Sequence, residues 1–185
     1  ILLFQRANGG WPKDYDMTAI LTEAQNAKVR ATRNQNDTSF DNGNGHSQVA
    51  YLAQACAQTG EPAWRDACVR GLDFILSAQY PNGGFPQLYP QPKDFHAHIT
   101  FNDYAMIGCL RVLKDAADGA PRFAWLDDNR RERARAAVQR GAACILKCQI
   151  RVAGTLTGWC QQHDERTYEA KPARTFELAS LCPQD

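Results

Sequence analysis

The sequence predicts a mainly α fold, an irregular α/α barrel or incomplete α/α toroid of repeated helical hairpins with long loops at one end. Three observations predict it. The unit Ile-Leu-x-x-Gln begins at positions 1, 75 and 145, as ILLFQRANGGWPK, ILSAQYPNGGFPQ and a degraded ILKCQIRVAGTLTGW, spaced by 74 and 70 residues. A period of that length accommodates two helices and a loop excursion. Apolar residues at helical spacing fill each interval, while strand signals are limited to short pieces near 95–100 and 156–159.

The elements follow in chain order. Gly9-Gly10 and Gly83-Gly84 stand at one fixed place in the repeat, where glycine can take positive φ and reverse the chain after a helix. The aromatic after each turn, Trp11, Phe85 or Trp159, is expected either to line a shared rim or to staple neighbouring helices together. The spacing of Val49, Leu52, Ala55 and Cys56 predicts a helix over 48–58. Pro62, suited to a first helical turn, opens a second one through Trp64, Cys68, Leu72, Ile75 and Ala78. Thr100 or Asn102 can cap a third, bearing Met106, Cys109, Leu110, Leu113 and Ala117 and stopping near Gly119. Asp127-Asp128 offers a cap and negative charge to a fourth, through Ala134, Ala137, Gly141, Ile145 and Cys148.

The totals bound the function. A chain of 185 residues fits one domain over 1–185, and because it opens inside a repeat unit it is expected to be part of a longer barrel. With 21 Lys and Arg against 20 Asp and Glu, nothing points to nucleic acid. No apolar run approaches the roughly 18 residues of a membrane span. Of the seven cysteines, Cys56, Cys68, Cys109, Cys144 and Cys148 fall on or near apolar helix stripes. Cys160 and Cys182 lie in loops and could pair in a secreted protein.

The polar loops hold the acids. NDTSFDNGNGHS places Asp41-Asn42 in a turn, and HAHITFNDYAM places Asn102-Asp103 where a helix begins. These oxygens suit calcium better than zinc, although capping and turn formation use the same residues. The four histidines lack a second cysteine pair for a zinc site. His163-Asp164 has no accompanying nucleophile motif and reads as a loop fixture. Lys13, after the first turn, and Lys171 and Arg174, in EAKPARTFELAS, could face an anionic ligand or stand as solvated charge.

Taken together, NGGWPKDYDM, the Phe-Asp-Asn turn, AQYPNGGFPQLYP, HITFNDYAM, LTGWCQQHDERT and KPARTFELAS resemble the successive blocks of pectate lyases of polysaccharide lyase family 10. The resemblance covers nearly the whole chain in order. It implies calcium-assisted β-elimination on polygalacturonate, with Asp41 and Asp103 as acids at the calcium and catalytic centre and Arg174 as the base. It also implies substrate or ligand roles for Asn42 and Asn102. Lys13, Trp11 and Lys171 are added as expected substrate-binding residues. An arginine base is chemically demanding because its pKa lies above 12, so Lys13 and Lys171 stand as alternatives. The expected protein is a secreted monomer with no nucleic-acid or membrane partner. Two rival readings share the geometry: a non-catalytic carbohydrate-binding barrel, and a toroidal enzyme of the terpenoid-cyclase or prenyltransferase sort.

Overall fold

The computed structural model of the protein describes residues 1–182. Five α-helices carry it: α1 (Glu23–Ala31), α2 (His46–Thr59), α3 (Pro62–Ala78), α4 (Ala105–Asp118) and α5 (Asp128–Cys148). Helices α2 and α3 form one hairpin and α4 and α5 another, and the two hairpins pack side by side, α2 on α4 and α3 on α5. The mainly α, hairpin-based expectation is met.

Local chemistry sets the helix ends. Pro62 occupies the first turn of α3, and Asp127 accepts a hydrogen bond from the Arg130 amide at the start of α5. Gly60 and Gly119 close α2 and α4 in the left-handed conformation. Neither expected cap of α4 is used. The Thr100 hydroxyl donates to His98 O and Asn102 donates to Asp103, while Tyr104, left-handed at φ 59°, leads into the helix. Helix α1 had no apolar period to reveal it, since none of its residues is buried. A capping box starts it instead: the Thr22 hydroxyl accepts from the Gln25 amide, and the Gln25 side chain accepts from the Thr22 amide.

The repeated unit docks each turn onto the next hairpin. Gln5 Nε2 donates to Gly9 O in its own turn and to Ala67 O in α3, both at 2.9 Å. Gln79 Nε2 does the same with Gly83 O at 3.0 Å and Ala137 O, in α5, at 2.8 Å. The free oxygens of both amides accept from equivalent arginines, Arg70 and Arg140. A Cβ on Gly9 would fall 2.3 Å from Arg70 O and one on Gly83 2.1 Å from Arg140 O, so only glycine lets the turn approach the helix.

Trp11 and Phe85 are fully buried between these units. They staple the core, and the rim expectation for them is corrected: the glycine turn presses the following aromatic inward. Trp159 is half-buried, with its indole N–H donating to Ile145 O at 2.8 Å. Cys56, Cys68, Cys109, Cys144, Cys148 and Cys160 are free thiols, and the buried Cys160 thiol faces Lys171 O at 3.5 Å.

Short strands position the loops. β4 (Gln162–His163) lies between β1 (Ile99–Thr100) and β5 (Ala170–Lys171), antiparallel to both, and a second small ribbon pairs β2 (Arg151–Val152) with β3 (Thr155–Leu156). His163, fully buried, accepts from the Cys160 amide and faces Tyr168 O at 2.8 Å, so it fixes the loop between β4 and β5. Burial lowers its pKa and outweighs the bond to Tyr168 O, which favours the charged ring.

Replacing Gln79 with Ala removes the N–H groups that satisfy Gly83 O and Ala137 O. We expect Gln79→Ala to cost about 2 to 3 kcal/mol, read as a lower denaturation midpoint at unchanged slope.

Candidate active site

Two turns of the same design carry the acids. Each is a single 3₁₀ turn, Asp41–Gly43 before α2 and Asn102–Tyr104 before α4, and each follows a buried phenylalanine, Phe40 or Phe101. Asn42 is left-handed at φ 51° and Asp103 at φ 54°, a conformation that Asn and Asp tolerate better than most side chains. The two turns touch, so the acids of two repeats meet at one place.

Three neighbouring segments complete the floor. Isolated bridges join Pro12 to Thr38 and Ser39 to Leu88, which sets Lys13 and Gln87 on either side of Asp41. Lys13 Nζ contacts Asp41 Oδ2, and Gln87 Nε2 donates to Asp41 Oδ1 at 2.9 Å. On the far side, the amides of Phe101 and Asn102 donate to Gln161 O, and this junction carries the loop after β5 over the cleft. The result is a polar cleft of about 570 Å³ lined by Lys13, Asp41, Asn42, Gln87, Asn102, Asp103, Gln161 and Arg174, with Phe95, His96, Gln162 and Glu177.

The structure thus brings together six of the residues singled out from sequence: Lys13, Asp41, Asn42, Asn102, Asp103 and Arg174. Trp11 is placed otherwise. It sits in the core with its indole N–H donating to Ile1 O, and cannot reach a ligand in the cleft. Lys171 lies outside the lining, beside Asp164 at 3.4 Å. Gln87 is a buried part of the floor. One signal would have found it. Lys13, Gln87 and Gln161 each stand two residues after the turn aromatic of their repeat, and all three line the cleft.

Electrostatics favour an ionised Asp41. Burial pushes the Asp41 carboxyl up, but Lys13 and hydrogen bonding with Asp103 and Gln87 outweigh it and hold the group below its ordinary value. The same contact raises the Lys13 ammonium. Arg174 is exposed and forms a forked pair with Glu177, Nε to Oε2 at 2.8 Å and Nη2 to Oε1 at 2.5 Å. Glu177 first, and the charges of Asp103 and Asp41 behind it, hold the guanidinium above its ordinary value.

The donor set tests whether a cation fits. Among the described residues no three His, Cys, Asp or Glu side chains gather to hold a metal alone. Yet the turns that carry Asp41 and Asp103 touch and both acids line one cleft, a juxtaposition of like charges that calls for a proton or a cation. The surrounding amides of Asn42, Asn102 and Gln87 offer further oxygens, and the buried Gln87 Oε1 has no hydrogen-bond partner. An all-oxygen set of this kind fits calcium, with part of the shell left for water and an anionic ligand.

Fold and cleft define a helical-hairpin protein with a charged, oxygen-rich site built on the loops at one end. The chain belongs to the pectic acid lyase family, whose model matches residues 5–185. It is similar to the solved structure of a family 10 polysaccharide lyase from Cellvibrio cellulosa, at 34% identity and a TM-score of 0.87, covering 97% of this chain and 54% of that one. An aspartate-to-alanine mutant of the family 10 lyase from the same organism, solved in complex with trigalacturonic acid, matches at 35% identity and a TM-score of 0.88, over 97% of this chain and 54% of that one. The chain therefore spans about half the length of these structures. A search of curated proteins finds no match.

Removing the Lys13 charge leaves burial with less opposition at Asp41. In Lys13→Met the Asp41 carboxyl should titrate at higher pH than in the parent, observed by carboxyl-carbon NMR in metal-free protein.

Proposed function

We propose that this protein cleaves polygalacturonate by calcium-assisted anti β-elimination, giving 4,5-unsaturated oligogalacturonides. The observation that carries the reading is the convergence of Asp41, Asp103, Lys13 and Arg174 in one cleft of a chain that belongs to the pectic acid lyase family. The trigalacturonic acid bound to the Cellvibrio enzyme supports the substrate class. The polar lining, with Trp11 and Phe85 withdrawn into the core, speaks against an apolar terpenoid substrate.

The chemistry follows from the acid to be removed. The C5 hydrogen of a galacturonate is weakly acidic, and the ionised carboxylate beside it makes it weaker still. Calcium, when bound, supplies positive charge that neutralises this carboxylate and stabilises the negative charge gathering on it as the proton leaves. Asp41 and Asp103, with the amides of Asn42 and Asn102, would hold the cation. Lys13, already charged, binds a second carboxylate of the chain. Arg174, in its neutral form, takes the C5 proton and becomes the guanidinium. The C5–H electrons form the C4–C5 double bond, the C4–O bond breaks on the opposite face, and the leaving oxygen takes a proton from solvent. Given a polymeric substrate, we place the protein outside the cell and regard it as a monomer.

A base held protonated by Glu177 needs alkali. Below the guanidinium's own value, kcat/KM should rise about tenfold per pH unit, because only the neutral fraction accepts a proton. Product is followed by the absorbance of the unsaturated uronate. Asp103→Ala should lower kcat by about a hundredfold or more, while Arg174→Lys should bring the alkaline rise to a plateau at lower pH, because lysine gives up its proton more readily. Turnover by Arg174→Ala at near the parent rate would remove Arg174 as the base.

A further inference from the structure

Arg174 is held twice, and by one residue. Its backbone amide donates to Glu177 Oε2 at 3.1 Å, the same oxygen that its Nε–H reaches at 2.8 Å, while Nη2 reaches Oε1. The main chain closes the same loop, with the Glu177 amide donating to Arg174 O at 2.8 Å and the Ala173 amide to Glu177 O at 3.0 Å. Glu177 is itself well covered, its side chain 15% exposed against 56% for Arg174, and both line the cleft. Phe176 lies under the guanidinium, 4.9 Å from ring centroid to Cζ.

An unrestrained arginine on an exposed loop explores many rotamers, and a side chain that must meet one reacting atom loses rate with each of them. A forked carboxylate pair removes that freedom, since the planar guanidinium has one orientation in which both bonds form. The other acids near Arg174, Asp41 and Asp103, act on it as charges across the cleft, and Lys13 is engaged with Asp41. Within its own loop, Glu177 therefore supplies the orientation.

We propose that Glu177 is the positioning residue for Arg174, fixing both the turn that carries the arginine and the direction of its guanidinium over the cleft. The inference rests on the lyase reading for its consequence in turnover, but the pair itself can be observed without activity. A turn-forming role alone needs only an oxygen to accept from the Arg174 amide, which glutamine also provides. The guanidinium fork needs the full carboxylate.

The test compares Glu177→Gln and Glu177→Ala with the parent by four measurements. These are kcat and KM on polygalacturonate with calcium, the thermal midpoint, and the Arg174 Nε–H resonance, assigned by its loss in Arg174→Lys. In Glu177→Gln we expect the thermal midpoint kept, the resonance displaced, kcat at its pH maximum lowered about tenfold, and KM within about threefold. Glu177→Ala should lose kcat at least as far, with a lower thermal midpoint. Parent kcat in Glu177→Gln would reduce Glu177 to a turn former and overturn the proposal. A rise in kcat would overturn it too, by making the pair a restraint that turnover must break. An unmoved resonance would deny the pair outright. Absence of unsaturated product from the parent, with the resonance displaced in Glu177→Gln, would sink the lyase reading while leaving the pair in place.

Discussion

The amide of Gln5 and its counterpart Gln79 hold the architecture in register. Gln5 is buried and Gln79 half-buried, and each satisfies its N–H groups with carbonyls, one in its own turn and one in a helix of the next hairpin. A bridge of this kind fixes distance and orientation together, which apolar packing alone does loosely. It requires the turn to approach the helix backbone, and that approach is open only to glycine at Gly9 and Gly83. Once the turn is seated, the next aromatic has one direction left, into the core, and the residue two further on is sent to the cleft.

The site inherits its order from this repetition. Lys13 and Gln87 are the same position of two successive repeats, and they grip the two oxygens of one carboxylate. The acid turns at Asp41 and Asp103 are likewise the same position of two hairpins, brought together because α2 packs on α4. The pairing sets two carboxylates against each other, and the cost of that contact is offset by the ammonium, the amide and, in our reading, calcium. The cations are thus not interchangeable. Lys13 works inside the acid cluster, whereas Arg174 approaches from a separate loop under the control of Glu177.

Much of this was legible in the sequence, and the omissions have physical causes. Four of the five helices follow from apolar spacing, Pro62 and Asp127. Helix α1 buries nothing and so leaves no period. The acids stood out as Asp and Asn in turns before helices, although the same residues cap and turn elsewhere. Trp11 misled because an aromatic beside a polar loop looks like a sugar platform, while the adjacent glycine pair in fact presses it inward. Gln87 and Gln161 were hidden by their neutrality, and only the phase of the repeat marks them. Glu177 was hidden because an arginine and a glutamate three residues apart look like ordinary surface charge. The family assignment is what turns a polar cleft into a specific chemistry.

The central claim is that the two acids of adjacent repeats form a cation-dependent centre for eliminating cleavage of polygalacturonate. The direct measurement is the appearance of unsaturated uronate absorbance on polygalacturonate at alkaline pH, first with calcium, then with a chelator, then with calcium restored. The account predicts product with calcium, its loss on chelation, and its return. Product formation undiminished by the chelator would contradict it, as would the absence of unsaturated product with calcium present.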